Sequence, residues 1–356
     1  MAVLSVGTGG FDSSALSLGS WTALASTDAT SVHYQGNNLH SAGYTVTLDG
    51  FGLGGYTNYG PTTGTILGLS VSLPGSQSFS ISTTAFSAAS YAAAVQSGSA
   101  AALLSAALSG ANVVIGSSTL DVLPAYGSFN QIDGGGGFNA VKLNFTYGQV
   151  RAAEWNGQAV VYDTVSHQLD QTVNVQNFQF TDQSLDISQL PVFQPLSYVA
   201  SYADLSRVFG TNQQAAFLHY ESSGIVEGRT ASFDGLAYIA SYADLIAAFG
   251  ANKVAGELHY INTGHLEGRL VTFDSLEYIA SYGDLIGAYG ANTTAGELHY
   301  ITSGHAEGRN PTLFNAAQYL ANYADLRAAY GNDLHAATLH YITSGYAEHR
   351  TDHPFG

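Results

Sequence analysis

The chain of 356 residues contains no cysteine, and only nine lysines and arginines face 26 aspartates and glutamates. Without cysteine, neither a disulfide framework nor a cysteine-ligated metal site can form. A formal net charge of −17 argues against nucleic acid as a partner, because binding to phosphates requires a basic stripe. The same charge argues against binding to an anionic membrane surface.

Long apolar runs are also missing, so we expect no transmembrane helix. The first residues, MAVLSVGTGGFDSS, lack a basic region and a long apolar stretch, and we expect no cleaved N-terminal signal peptide. No charged residue lies between Asp49 and Asp121. Residues 44–48 and 78–82 of that stretch alternate polar and apolar side chains, which predicts strands. Strand edges without charges are open to pairing with other chains.

A nine-residue period covers residues 107–142 in four consecutive blocks. One column of these blocks holds Asn112, Asp121, Asn130 and Asn139, and a second column, two places later, holds Val114, Leu123, Ile132 and Val141. One apolar residue in nine can point inward from a short strand, while small residues and Asn or Asp make the turns. The period therefore predicts stacked turns that form a parallel β-roll.

These blocks resemble the glycine-rich nonapeptides of RTX (hemolysin-type calcium-binding) proteins. The resemblance covers roughly residues 30–190, with a helical segment predicted at 83–110 and strands at 143–190. It implies export by a type I secretion system, an extracellular or cell-surface location, and calcium as a cofactor. The candidate calcium ligands are Asp121, Asn130, Asp133 and Asn139.

The ligand column departs from the RTX pattern because Asn130 and Asn139 are neutral. Calcium prefers six to eight oxygen ligands with several carboxylates among them. We therefore expect weak calcium binding at most. The alternative is that the asparagine side chains form hydrogen-bonded ladders along the stack without an ion.

A second repeat, of 40 or 41 residues, begins after Pro191. Its four units, repeats one to four, are marked by Tyr198, Tyr238, Tyr278 and Tyr319. Similar helical repeats occur beside RTX modules in secreted proteins of alphaproteobacteria. The sequence thus predicts two domains, a β-rich domain at 1–190 with a degenerate β-roll at 107–142, and four helical hairpins at 191–356. The fold class is an N-terminal all-β domain with a short helical segment, followed by a C-terminal α-hairpin array.

Repeat two shows the predicted pattern of one unit. Asp234 is a suitable N-cap, and an apolar stripe at helical spacing runs from Tyr238 through Tyr242 to Phe249. Gly250 is expected to end this first helix, and Asn252 to cap the second. Two short helices cannot bury their faces alone, so stacked units are expected to share a continuous core.

Two sets of side chains in the repeats could carry chemistry. One histidine recurs in each unit: His219, His259, His299 and His340. Haem or metal binding is one interpretation, and a half-buried packing residue with a fixed hydrogen bond is the favoured one. Each unit also ends on an arginine (Arg229, Arg269, Arg309, Arg350) and contains an aspartate (Asp204, Asp244, Asp284, Asp325). Arginine pairs with carboxylates, and we expect clasps between neighbouring units, with a ligand clamp as the alternative.

The sequence carries no recognised catalytic motif, and we expect a structural or adhesive protein rather than an enzyme. Self-assembly into filaments or a surface layer is expected, because the β-roll has open ends and repeat four keeps the interior pattern. The alternative is a monomer in which residues 1–30 and 351–356 cover those ends. A module that binds a glycan, haem or a metal is the second hypothesis, and a secreted enzyme of unrecognised type is the third.

Overall fold

The structure is a computed structural model that describes residues 1–13, 21–27, 31–38, 41–57, 59–72 and 78–354. The chain divides into two compact units. The first unit comprises Met1–Phe193 and Tyr220–Arg229, and the second comprises Gln194–His219 and Thr230–Gly356. An N-terminal, mostly β region and a C-terminal region of repeated helices are thus present, as the sequence predicts.

Among the described residues, the first unit contains the strands and three α-helices. The strands are β1 (Ala2–Val6), β2 (Phe11–Asp12), β3 (Trp21–Thr27), β4 (Ser31–Asn38), β5 (Ser41–Gly54), β6 (Thr63–Ser72), β7 (Ser78–Ser82), β8 (Phe86–Ser87), β9 (Ala111–Ile115), β10 (Asp121–Pro124), β11 (Phe129–Asp133), β12 (Asn139–Lys142), β13 (Val150–Trp155), β14 (Gln158–Asp163), β15 (Leu169–Val173), β16 (Asn177–Gln179) and β17 (Ser184–Asp186). The helices are α1 (Ala88–Ser97), α2 (Ala100–Ala107) and α6 (Ile225–Glu227). The strands predicted at 44–48 and 78–82 and the predicted helical segment are confirmed.

The strands of the described residues form two sheets. Sheet one has the order β13-β14-β15-β11-β9-β1-β7-β6-β5-β4-β3, with β8 paired to β6, and sheet two has the order β17-β16-β12-β10-β2. The strands of the nine-residue blocks alternate between the sheets. Strands β9 and β11 pair in parallel in sheet one with Asn112 opposite Asn130. Strands β10 and β12 pair in parallel in sheet two with Asp121 opposite Asn139.

The ends of this parallel stack are largely paired, which corrects the expectation of open ends. In sheet one, β7 lies antiparallel to β1 at one end, and β14 lies antiparallel to β15 at the other. In sheet two, β17 lies antiparallel to β16. Strands β7, β14 and β17 lie outside residues 107–142, and therefore the nine-residue period does not predict them.

Apolar side chains of both sheets and of the two Ala-rich helices form the core of the first unit. Val114 and Leu123, from the second column of the blocks, are fully buried, as is Leu48 of β5. Ser87 and Ser99 cap α1 and α2 by accepting hydrogen bonds from backbone N–H groups in the first turn of each helix. Each capping serine satisfies one donor that the helix itself leaves unpaired.

The second unit consists of short helices. They are α3 (Pro195–Ala200), α4 (Ala203–Phe209), α5 (Gln213–His219), α7 (Gly235–Ala240), α8 (Ala243–Phe249), α9 (Lys253–His259), α10 (Ser275–Ala280), α11 (Gly283–Tyr289), α12 (Thr293–His299), α13 (Ala316–Asn322), α14 (Ala324–Tyr330) and α15 (Leu334–His340). A π-helical turn follows α9, α12 and α15, at Tyr260–Gly264, Tyr300–Gly304 and Tyr341–Gly345.

The first predicted helix of each repeat is in fact two helices. In repeat two, the chain leaves α7 at Ser241, and Tyr242 is extended, with φ −140° and ψ 122°, before α8 begins. The Ser241 hydroxyl accepts hydrogen bonds from the backbone N–H groups of Thr272 and Phe273, at 2.9 and 3.0 Å. These bonds come from the segment that leads into the next repeat, so local periodicity does not predict the break.

The chain after repeat four packs on the first helix of that repeat. Asp352 Oδ2 accepts a hydrogen bond from the backbone N–H of Asn315 at 2.8 Å. Asn322 Nδ2 donates to the carbonyls of Thr351 and His353, at 2.8 and 2.7 Å. Residues 351–353 therefore satisfy polar groups at both ends of α13.

Candidate functional site

The column of the nine-residue blocks forms a buried ladder of amide side chains in sheet one. Asn112 Nδ2 donates to Asn130 Oδ1 at 2.8 Å, and Asn130 Nδ2 donates to Asp170 Oδ1 at 2.5 Å. All three side chains are fully buried. Asn112 Nδ2 also lies 2.8 Å from the Tyr126 carbonyl. The ladder therefore joins three successive strands, β9, β11 and β15, through their side chains.

The column in sheet two uses side chain to backbone bonds. Asn139 Oδ1 accepts from the backbone N–H of Asp121 at 3.2 Å, and its Nδ2 donates to the Gly136 carbonyl at 3.0 Å. Asp121 Oδ2 accepts from the Ser117 backbone N–H at 2.6 Å. Its other oxygen, Oδ1, is buried and has no hydrogen-bond partner among the described residues.

These residues do not fit a strong calcium site. Asn130 points its amide nitrogen, a donor, at a carboxylate where a calcium ion would need an oxygen. Asp133 is exposed, and its Oδ1 accepts from Gly135 N and Asn174 Nδ2. Of the four candidate ligands only Asp121 and Asp133 carry a carboxylate, and they lie on strands of different sheets, whereas calcium prefers several carboxylates in one site.

Asp170 and Gln168 also belong to this ladder, and neither lies in the nine-residue blocks. Gln168 Nε2 donates to both oxygens of Asp170, at 3.1 and 2.9 Å. Burial raises the pKa of Asp170 to about 7, although the hydrogen bonds from Asn130 and Gln168 act in the opposite direction. The inserted hairpin β13–β14 separates β15 from the periodic blocks, and so the period gives no signal for Asp170.

The recurring histidines are packing residues bonded to the recurring tyrosines. The four bonds between Tyr OH and His Nδ1 measure 2.9, 3.0, 2.8 and 2.9 Å, for Tyr198–His219, Tyr238–His259, Tyr278–His299 and Tyr319–His340. Tyr238 is fully buried, and burial raises its pKa to about 12, so the phenol keeps its proton. The His259 ring also packs 5.5 Å from the Phe249 ring, centroid to centroid.

A glycine makes room for each of these tyrosines in repeats two to four. A Cβ atom on Gly264 would lie 2.0 Å from Tyr238 Oη. Gly304 and Gly345 stand in the same relation to Tyr278 and Tyr319. Gly264 itself lies within the helix, as the last residue of the π-helical turn.

The arginines form ion pairs within one repeat, which corrects the prediction of clasps between neighbouring units. Arg269 Nη1 lies 2.8 Å from Asp244 Oδ2, and its Nε lies 2.6 Å from Glu267 Oε2. Its guanidinium also lies 4.9 Å from the centroid of the Tyr242 ring, a distance typical of a cation–π contact. The same pairs recur as Arg309–Asp284 and Arg350–Asp325. Arg229 pairs with Glu227 at 2.6 Å.

In repeats two to four, the arginine also lies beside the extended tyrosine that separates the first two helices. The Tyr242 hydroxyl accepts from Leu270 N at 2.8 Å and donates to Leu270 O at 3.0 Å. The hydrogen bond from Arg269 holds the pKa of Asp244 below its usual range. Arginine, aspartate and tyrosine therefore fix the same turn in repeat two, and these contacts occupy the groups that a ligand clamp would use.

Comparisons with known proteins give no relative on which to base a function, since no protein-family model matches the chain and no curated protein matches its sequence. Across the described ranges, no helix combines the length and the apolarity that crossing a membrane requires.

Proposed function

We propose that the chain is an extracellular structural or adhesive protein, and that two copies associate through the edge of strand β3. The observation that carries the proposal is the position of β3 at the end of sheet one. Its seven residues, WTALAST, include no charge and no proline. Within the described residues no strand pairs with its outer edge. Proteins normally protect such an edge with charges, prolines or a cover.

The opposite end of sheet one has such a cover. The backbone N–H of Glu154 in β13 donates to the Pro191 carbonyl at 2.9 Å, and Phe193 N donates to the Glu154 carbonyl at 2.8 Å. Arg151, on the same strand, donates to the Ile225 carbonyl at 2.8 Å. This contrast between the two end strands favours β3 as the associating edge. Pairing of β3 with β3 is isologous and gives a closed dimer, so a filament or layer requires a second contact.

The finer architecture supports the same class of protein. We propose that the parallel stack is a β-roll of the RTX type that folds without a strong calcium site. Supporting this are the alternation of blocks between two sheets and the amide ladder that takes the place of carboxylates. Export by a type I system and an extracellular location follow from the RTX resemblance as parts of the proposal.

We further propose that the helical repeats stack as hairpin-like units on a shared core. Ser197 Oγ of repeat one donates to Glu257 Oε1 of repeat two at 2.6 Å. Phe273 N, at the start of repeat three, donates to Ser241 Oγ of repeat two. Such nearest-neighbour contacts are the basis of stability in repeat arrays.

The test is the mass of the protein by light scattering over a hundredfold concentration range, with calcium and with chelator. We expect the mass to rise from one chain, 37.2 kDa, to two. The variant Thr22→Lys/Ser26→Lys places charges on β3 and should stay monomeric. The control variant Thr211→Lys/Gln213→Lys adds the same charge at exposed positions and should associate like the parent.

Circular dichroism of each variant verifies that it is folded. A parent chain that stays monomeric throughout would refute self-association. Equal association of the β3 variant and its control would refute β3 as the contact.

A further inference from the structure

Two buried glutamates occupy equivalent positions in the second unit. Glu257 of α9 and Glu297 of α12 are 5% and 3% exposed. Both lie where a repeat packs against the preceding one. A buried carboxylate is costly unless hydrogen bonds or an opposite charge compensate it. The partners of the two carboxylates therefore indicate what each position requires.

Glu257 has partners of both kinds. Ser197 Oγ donates to its Oε1 at 2.6 Å. Lys253 Nζ, one helical turn earlier, lies 3.7 Å from the same oxygen. Repeat two thus compensates its buried carboxylate with a hydroxyl and a primary ammonium group.

Glu297 has the hydroxyl and lacks the ammonium group. Ser275 Oγ donates to its Oε1 at 2.6 Å. The residue one turn earlier is Thr293, where repeat two has Lys253. The second oxygen, Glu297 Oε2, is buried and has no hydrogen-bond partner among the described residues.

Glu297 also lines an open groove. The groove has a volume of about 460 Å³ and is lined by Asp234, Asp274 and His335, among others. Ala237 and Leu276 contribute apolar walls to the same groove. Asp234 and Asp274 are the N-caps of α7 and α10. The groove therefore combines an unpaired buried carboxylate, two further carboxylates and an apolar surface.

We propose that this groove binds a ligand with a primary ammonium group on a short alkyl chain, held by Glu297 Oε2. The ammonium group takes the place that Lys253 fills beside Glu257 in repeat two. Its three N–H donors suit a single carboxylate oxygen with neighbouring acceptors. Asp234 and Asp274 add attraction, and the alkyl chain lies on Ala237 and Leu276. A metal ion fits less well, because no group of three potential metal ligands meets within the described residues.

The affinity should depend on pH through Glu297. Burial raises the pKa of Glu297 to about 7, Ser275 and Lys253 lower it, and Asp234 raises it. Asp274 and His335 are the other titratable groups of the groove. Only the ionised carboxylate attracts the ammonium group, and its fraction falls about tenfold per pH unit below the pKa. Binding should therefore weaken as the pH falls from 7 to 5. In this range, binding of the ammonium ion should release a proton from the Glu297 carboxyl group.

Calorimetric titration of the full chain with n-butylammonium chloride at pH 8 tests the proposal. We expect a saturable site of one ligand per chain. Tetramethylammonium, which has the charge without a donor, should bind at least roughly tenfold more weakly. Thr293→Lys supplies the ammonium group from within and should abolish binding, as should Glu297→Gln. Thr343→Lys, at an exposed threonine of repeat four, is the matched control and should bind like the parent.

Three outcomes would overturn the proposal. One is the absence of saturable heat with the parent chain. The second is equal binding of n-butylammonium and tetramethylammonium, which would mean a diffuse charge effect. The third is unchanged binding by Thr293→Lys, which would place the ligand elsewhere. If Glu297→Gln does not fold, Thr293→Lys still tests the proposal. It should form with Glu297 the ion pair that Lys253 and Glu257 form in repeat two, and it should therefore raise the midpoint of thermal unfolding.

Discussion

Asn130 donates a hydrogen bond to Asp170 across two adjacent parallel strands, with 2.5 Å between Nδ2 and Oδ1. The two residues lie directly opposite each other in the register of β11 and β15. Asn130 stands in the column where the RTX pattern has an aspartate. An aspartate at position 130 would be repelled by Asp170, whereas the neutral amide of Asn130 donates a hydrogen bond to it. This contact gives the buried carboxylate of Asp170 a hydrogen-bond donor from the neighbouring strand.

The first prediction concerns a return to the RTX pattern. Asn130→Asp places a second carboxylate against Asp170 in a fully buried position. We expect the free energy of unfolding at pH 8 to fall by roughly 3 kcal/mol or more, because an unpaired buried charge is introduced. Urea unfolding followed by tryptophan fluorescence measures this change. Both tryptophans, Trp21 and Trp155, lie in the first unit.

Gln131→Glu is the control for Asn130→Asp, since it makes the same chemical change at an exposed neighbour on the same strand. It should alter stability little. Millimolar calcium should not restore the stability of Asn130→Asp. A full recovery with calcium would mean that the column can hold the ion, against the present interpretation.

The second prediction is a pH dependence that originates at Asp170. Burial raises its pKa to about 7, whereas an unfolded aspartate titrates at about 3.9. Between these values the folded state binds a proton that the unfolded state has lost. The free energy of unfolding therefore falls as the pH rises from about 4 to about 7, and levels off above that. Asp170→Asn cannot titrate, and we expect it to remove this part of the slope.

Urea unfolding at pH 4.5, 6 and 8, again followed by tryptophan fluorescence, measures the slope. Asp133→Asn removes an exposed carboxylate from the neighbouring strand and is the matched control. An identical pH slope in Asp170→Asn and in the parent chain would show that Asp170 is ionised in the folded protein throughout.

The third prediction concerns the buried tyrosines of the repeats. Tyr238→Ala should lower the free energy of unfolding of the helical unit by roughly 3–5 kcal/mol, since a large side chain is removed from a core. Val254→Ala, at a residue 52% exposed, should change it by less than about 0.5 kcal/mol. Thermal melts followed by circular dichroism at a helical wavelength compare the two. Similar small effects from both would refute the core role of Tyr238.

The fourth prediction couples Tyr238 to the glycine beside it. Gly264→Ala puts a Cβ atom 2.0 Å from Tyr238 Oη and should destabilise the parent chain. In the Tyr238→Phe background the same change should cost less, because the hydroxyl is gone. Double-mutant cycles of contacting residues give interaction energies of about 0.5–3 kcal/mol. Strictly additive effects would mean that the glycine is needed for another reason.

The sequence predicted the position of the repeats better than their internal geometry. The stripe from Tyr238 through Tyr242 fits one helix in spacing, yet the chain breaks between them. The break depends on Ser241 accepting bonds from Thr272 and Phe273. These partners are about 30 residues away, and a local period contains no information about them.

The same limit applies to the candidate sites. The nine-residue period located Asn112 and Asn130, because equal spacing brings equivalent residues into register. It could not locate Asp170, since an inserted hairpin interrupts the spacing. Glu297 was also missed, because its importance depends on the replacement of Lys253 by Thr293 and on burial between repeats. A comparison of the units position by position would have shown that replacement.

Amide hydrogen exchange of β3 at two protein concentrations a hundredfold apart tests directly whether two copies associate through this strand. If two copies pair through β3, the amides of Trp21–Thr27 that face its open edge should exchange at least roughly tenfold more slowly at the high concentration. Amides of β13, whose edge is already bonded to Pro191 and Phe193, should not change. Unchanged exchange of β3 while the mass of the protein doubles would show that the two copies associate through another surface.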